Sequence, residues 1–170
     1  MTEGGLSALR IGTVGVLPLS NKRLTMSRIT ILHVEDDSND VLLFQHACQK
    51  AEANCSLMAV SDGDEAIAYL SGTGKYGNRE QYPLPHLLLL DLKMPRVNGF
   101  EVLSWLRKNP KLCCLPVVVL SSSNHEADVR QAYQTGANSF LVKPVDFNAL
   151  VELVRTVHYY WLTLNERLDT

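Results

Sequence analysis

From residue 28 onward, short leucine-rich or β-branched runs alternate with longer stretches whose apolar residues recur at helical spacing. Unbroken apolar runs bounded by turn residues read as buried strands, and the longer period reads as helices with one buried face. The predicted strands are "ITILHV" (29–34), "CSLMAV" (55–60), "HLLLL" (86–90), "PVVVL" (116–120) and "SFLV" (139–142). The predicted helices cover 38–52, 62–71, 98–108, 125–135 and 146–164. Five strand–helix units of this kind make a complete small α/β domain on a parallel sheet. The first helix opens at Ser38, a suitable N-cap, and carries Val41, Leu42, Leu43, Phe44, Ala47 and Cys48 toward one side. The second opens at Asp62 with Glu65 three residues on, the pattern of a capping box. Pro110 and Pro116 bracket the link after the third. The polar, glycine-rich stretch "SGTGKYGNREQYPLP" (71–85) exceeds most connections in length and is expected to be exposed or a contact surface.

The domain is expected to occupy 28–164, followed by a short tail at 165–170. Residues 1–27 lack a clear period and read as a disordered extension, or as one added by a mis-assigned start, because Met26 stands just before the first strand. Glu3 and scattered glycines do not fit a secretory signal. A hydrophobic fraction of 46% in 170 residues supports one proper core. A net charge of −2 without a Lys/Arg cluster argues against a nucleic-acid binder. No apolar run approaches the ~18 residues of a membrane span. Cys48, Cys55, Cys113 and Cys114 form no C-x-x-C and no metal spacing with histidine, as expected of thiols in the reducing cytoplasm.

The chemistry gathers where strands end. Glu35, Asp36 and Asp37 follow the first strand, Asp91 the third, Ser121 and Ser122 the fourth, Lys143 and Pro144 the fifth. In an open parallel sheet these ends share one edge, and ligands bind in the crevice outside it. Two unit charges about 4 Å apart repel by roughly 4 kcal/mol at an effective dielectric near 20, so Glu35, Asp36 and Asp91 need cationic company. Lys143 supplies one charge and a hard divalent cation two more, and Mg²⁺ suits a few carboxylates plus a phosphate oxygen. Phosphoryl transfer depends mainly on such positioning and neutralisation, and a carboxylate can itself be the nucleophile. Asp91, alone at the end of the middle strand, is the best candidate.

"ILHVEDD", "LLLLDLKMPRVNGFEVL", "PVVVLSSS" and "SFLVKPV", in this order and spacing, resemble the receiver domain of two-component response regulators over residues 28 to about 160. The resemblance implies a flavodoxin-like, doubly wound (βα)5 sheet of strand order 2-1-3-4-5. It also implies Mg²⁺-dependent phosphoryl transfer from a histidine kinase or phosphotransfer protein to Asp91. On that pattern Asp36 and Asp91 ligate the metal directly, Glu35 acts mostly through a water, and the backbone carbonyl of Lys93 completes the protein ligands. Ser121 would hydrogen-bond one phosphoryl oxygen and Lys143 pair with another. Pro144 would follow a cis peptide that aims Lys143, and Phe140 would be the aromatic switch that turns inward with Ser121. The loop at 71–85, "NPKLCCLPVVVLSSS" and "VHYYWLTLNERL" look like the stand-alone receivers associated with phytochrome-like sensor kinases.

Plainer roles stand beside these. Glu35 and Asp36 suit the first turn of a helix, although Asp37 or Ser38 serves that end as well. Phe140 could be ordinary packing, and His33, inside a strand, reads as a core histidine. His125 reads as solvated, and Cys113 and Cys114 have only Lys111 nearby to lower a thiol pKa. Two other classes compete: a receiver that never gains phosphate and serves as a constitutive interaction module, and an aspartyl-phosphate phosphohydrolase. The latter needs a carboxylate two residues after the nucleophile, where Lys93 stands. The protein is therefore expected to be no enzyme beyond its own phosphorylation from small donors and its own dephosphorylation. With no room for an output domain, the signal is expected to leave through a surface. Tyr160, Leu164 and Leu168 at helical spacing suit a dimer or partner interface, or packing on the domain itself, with a homodimer preferred.

Overall fold

The computed structural model describes residues 29–166, so the extension at 1–27 and Leu168 lie outside the described residues. Five parallel strands, β1 (Thr30–Val34), β2 (Ser56–Val60), β3 (Leu87–Leu90), β4 (Val117–Ser121) and β5 (Ser139–Val142), lie in the order β2-β1-β3-β4-β5. The helices are α1 (Ser38–Lys50), α2 (Gly63–Ser71), α3 (Gly99–Lys108), α4 (Glu126–Thr135) and α5 (Phe147–Val157). The expected architecture and strand order are both present.

Every residue of β3 is buried, because helices cover both faces of the sheet. Leu87 and Leu89 join Phe44 and Ala47 of α1 and Val151 and Val154 of α5, whereas Leu88 and Leu90 join Tyr69 of α2 and Val102, Leu103 and Leu106 of α3. Each buried leucine, valine or phenylalanine side chain here contributes about 1.5–3 kcal/mol, which makes the C-terminus of β3 a rigid mount.

Several local details differ from the sequence expectations. Asp37, not Ser38, caps α1, accepting from Asn39 N–H at 2.8 Å. Leu42 and Leu43 are about half exposed, so only Phe44, Ala47 and Cys48 of the expected apolar face enter the core. Asp62 accepts from Glu65 N–H, but the Glu65 carboxylate returns to Ser61 N–H and Oγ, so the box is only half formed. The reciprocal capping box stands at α3, between Asn98 and Glu101. The 71–85 stretch is less exposed than expected: a 3₁₀ turn, Gly74–Gly77, puts Tyr76 into a cluster with Tyr69 and Tyr82, and Arg79 donates to three carbonyls. The last helix changes pitch at its end, where His158–Leu164 form a π-helical segment that keeps Leu162 buried and leaves Tyr159, Tyr160 and Leu164 outside.

The start of α3 presses directly on the end of β3. A Cβ on Gly99 would lie 2.2 Å from the Asp91 carbonyl oxygen and 2.8 Å from Leu92 Cα. Gly99→Ala is expected to destabilise the fold by about 1–3 kcal/mol, read as a lower urea midpoint.

Candidate functional site

Four of the strand-end residues converge as the parallel topology requires. Glu35 and Asp91 are 2% and 5% exposed, while Asp36 faces solvent. Glu35, Asp36 and Asp91 each offer a carboxylate oxygen, all within 4.8 Å of one another. Lys143 Nζ stands against this cluster, bonded to Glu35 Oε2, to Asp91 Oδ2 at 3.2 Å and to Asp40 Oδ2 at 2.8 Å. The other Asp91 oxygen, Oδ1, accepts from Leu92 N–H at 2.6 Å and from Lys93 N–H at 3.4 Å. These bonds on both oxygens fix the carboxylate's orientation at the strand end.

Asp40 is the member that sequence reasoning missed. It lies in the first turn of α1, directly after the acidic end of β1, and an acid at that position was the available signal. Its presence alters the charge balance. Four carboxylates face one ammonium, a surplus of three negative charges, so even a divalent cation would leave the site anionic. The carboxylate oxygens are hard donors at a suitable spread, and the surplus charge favours such a cation. Electrostatics follow the packing. Burial opposes the Lys143 charge, but the bonds to Asp40 and Glu35 prevail and hold its pKa above the usual lysine range. Burial pushes the Glu35 carboxyl upward against the pull of Lys143. Burial, with help from the Lys143 charge, lowers His33 to about 4, so this core histidine is neutral.

The remaining expected residues fall around this centre. Ser121 closes β4 fully buried, its carbonyl accepting Lys143 N–H at 2.9 Å, so the ends of β4 and β5 are tied together. Lys93 is exposed, its Nζ 3.9 Å from Asp128 of α4. Phe140 is half-buried on β5 beside Leu92, Val119 and Ala132. The expectation of a cis peptide before Pro144 is corrected: no cis peptide occurs among the described residues. The trans form is the ordinary preference of X–Pro bonds, and Lys143 is instead aimed by its N–H bond to Ser121 and by three carboxylates. Cys113 and Cys114 are free thiols with sulfurs 3.9 Å apart, remote from this chemistry in the link between α3 and β4.

Residues 31–155 match the response regulator receiver domain. The chain belongs to the receiver domain family of response regulators. This receiver is 37% identical to the response regulator Rcp1 of Synechocystis over 132 residues, 78% of this chain and 88% of the relative. The Mn(2+)-bound form of Rcp1 superposes with a TM-score of 0.74 at 35% identity, covering 83% of this receiver and 99% of Rcp1. The phosphorylated cyanobacterial phytochrome response regulator RcpA gives a TM-score of 0.76 at 34% identity, over 82% of this chain and 98% of its own. A response regulator in red light signaling of R. palustris gives 0.80 at 32% identity, over 84% and 99%. No helix among the described residues of the receiver is long and apolar enough to cross a membrane.

Lys143 compensates the buried carboxylates from within a site where it is itself only 15% exposed. Lys143→Met is expected to lower the unfolding free energy by about 3 kcal/mol, measured by urea denaturation, because it leaves Glu35 buried without a counter-charge.

Proposed function

We propose that Asp91 accepts a phosphoryl group from the phosphohistidine of a sensor histidine kinase, or from a phosphotransfer protein, and that the protein signals through the surface this changes. The observation that carries the reading is the Asp91 carboxylate: buried, oriented by Leu92 N–H and by Lys143, and set within an oxygen cluster open to solvent at Asp36. An Asp91 oxygen bonds to phosphorus as the P–N bond breaks, and the bonding pair leaves with the donor imidazole. Lys143 then pairs with one phosphoryl oxygen and the Ser121 hydroxyl donates to another. Glu35, Asp36, Asp91 and the backbone carbonyl of Lys93 would hold Mg²⁺, which supplies charge neutralisation and a fixed place for a phosphoryl oxygen. Beside the acidic cluster runs a groove of about 390 Å³ lined by Asp36, Val41, Leu42 and Ala59, apolar enough to seat a helix of the donor.

Movement of Ser121 would let half-buried Phe140 turn inward and alter the face made by α4, β5 and α5. On that face and just beyond it Tyr133, Val142, Val145, Tyr159, Tyr160 and Leu164 are exposed, which fits a homodimer. The likeness to RcpA suggests a phytochrome-like kinase as donor, acting in the cytoplasm. A constitutive interaction module gives no reason for burying Glu35 and Asp91 around a lysine, and Lys93 rules out the acid of a phosphohydrolase.

Incubation with acetyl phosphate and Mg²⁺ is expected to add one phosphoryl group to the wild type and none to Asp91→Asn by intact mass. An adduct persisting in Asp91→Asn would overturn the assignment. Lys93 and Ser122, both exposed beside the phosphoacceptor, flank the route of an attacking water and are proposed to tune dephosphorylation. Lys93→Ala and Ser122→Ala are each expected to change the phosphate half-life by about fivefold, equivalent to about 1 kcal/mol in barrier. Half-lives equal to wild type in both would remove that role.

A further inference from the structure

Successive side chains of β1 point to opposite faces of the sheet, so Ile31, His33 and Glu35 share the face covered by α1 and α5. His33 is 1% exposed, and its ring lies 4.7 Å from that of Phe44. Neither ring nitrogen has a hydrogen-bond partner. A buried polar group left unpaired destabilises the fold, and an aliphatic side chain would fill the same space without that cost. The resting structure therefore carries a donor that it does not use.

The direction of that donor is informative. His33 Nε2 lies 3.9 Å from Glu35 Oε2, the same oxygen that Lys143 Nζ binds. In the phosphoacceptor reading, on which this inference rests, Lys143 turns toward a phosphoryl oxygen on Asp91. Glu35 Oε2 then loses the Lys143 ammonium while remaining buried. A shift of about 1 Å brings the imidazole within ordinary N–H···O distance of it.

We infer that His33 is a positioning residue that takes over Glu35 Oε2, through its Nε2–H, when the phosphoryl group draws Lys143 away. The exchange keeps the Glu35 carboxylate in place with one strong donor in either state. It also resolves the unpaired imidazole, whose cost falls on the resting form and so favours the phosphorylated one.

The test uses the full chain with ¹⁵N-labelled histidine, observed by long-range proton–nitrogen NMR of the rings, with Mg²⁺ alone and with Mg²⁺ plus beryllofluoride as phosphoryl mimic. On adding beryllofluoride, the His33 Nε2 signal is expected to move to that of a hydrogen-bonded donor with a slowly exchanging proton. Mg²⁺ alone should leave it unchanged. In parallel, His33→Leu is expected to slow adduct formation from acetyl phosphate about tenfold at limiting Mg²⁺, the usual scale for losing a group that orients a metal ligand. His33→Gln, which keeps an N–H donor, should recover most of that rate, whereas a purely space-filling role predicts the reverse order. An adduct on the wild type with an unchanged His33 signal, or with His33→Leu as fast as wild type, overturns the inference alone. Absence of any adduct on the wild type overturns the phosphoacceptor reading and the inference together.

Discussion

The ammonium of Lys143 is the contact on which the site depends. Its Nζ bonds carboxylates from three separate segments, Glu35 at the end of β1, Asp40 in α1 and Asp91 at the end of β3, and it reaches them from the end of β5. Burying two of those carboxylates without a cation would be prohibitive, because the desolvation of each ion has no return except its pairing. The same arrangement is deliberately incomplete as a salt bridge. One positive charge cannot satisfy four negative ones, so the edge of the sheet stays electrostatically hungry for a cation and for whatever Lys143 is free to exchange toward.

That tension is held in place by a closely packed scaffold. β3 is leucine throughout and buried on both faces, and α3 begins so close behind it that only glycine fits at position 99. Parallel pairing of β3 with β1 on one side and β4 on the other then fixes the relative heights of Glu35, Asp91 and Ser121. Mobile elements would not keep carboxylates in such proximity, since each would turn its charge to water. Rigid packing below and unbalanced charge above suit a response-regulator receiver.

The periphery is assembled by different rules. Arg107 illustrates this, its guanidinium donating to carbonyls of Gly136, Cys113 and Leu115 and to the Asn138 side chain, so that the loop before β4 and the loop before β5 are stapled together. Arg79 does the same for the end of α2 and the stretch that follows. Both are single polar side chains that replace a missing core contact by filling several carbonyl valences at once.

Local pattern alone carried much of this protein. Alternating runs located all five strands and all five helices, because burial on a sheet or a helix face leaves a period in the residues themselves. The rule that strand ends meet at one edge, together with the family resemblance, was enough to collect Glu35, Asp36, Asp91 and Lys143 into one site. What the pattern could not carry was the choice among equivalent local partners. The Glu65 carboxylate bonded Ser61 N–H instead of closing a capping box, Arg79 and Tyr76 turned a polar loop inward, and the bond before Pro144 stayed trans. Asp40 belongs to the same class, ordinary in sequence and a partner of Lys143 only once α1 lies beside the strand ends. Periodicity records which side of an element is buried, whereas hydrogen bonds and ion pairs depend on distances of a few tenths of an ångström between segments far apart in the chain, and those distances exist only in the folded molecule.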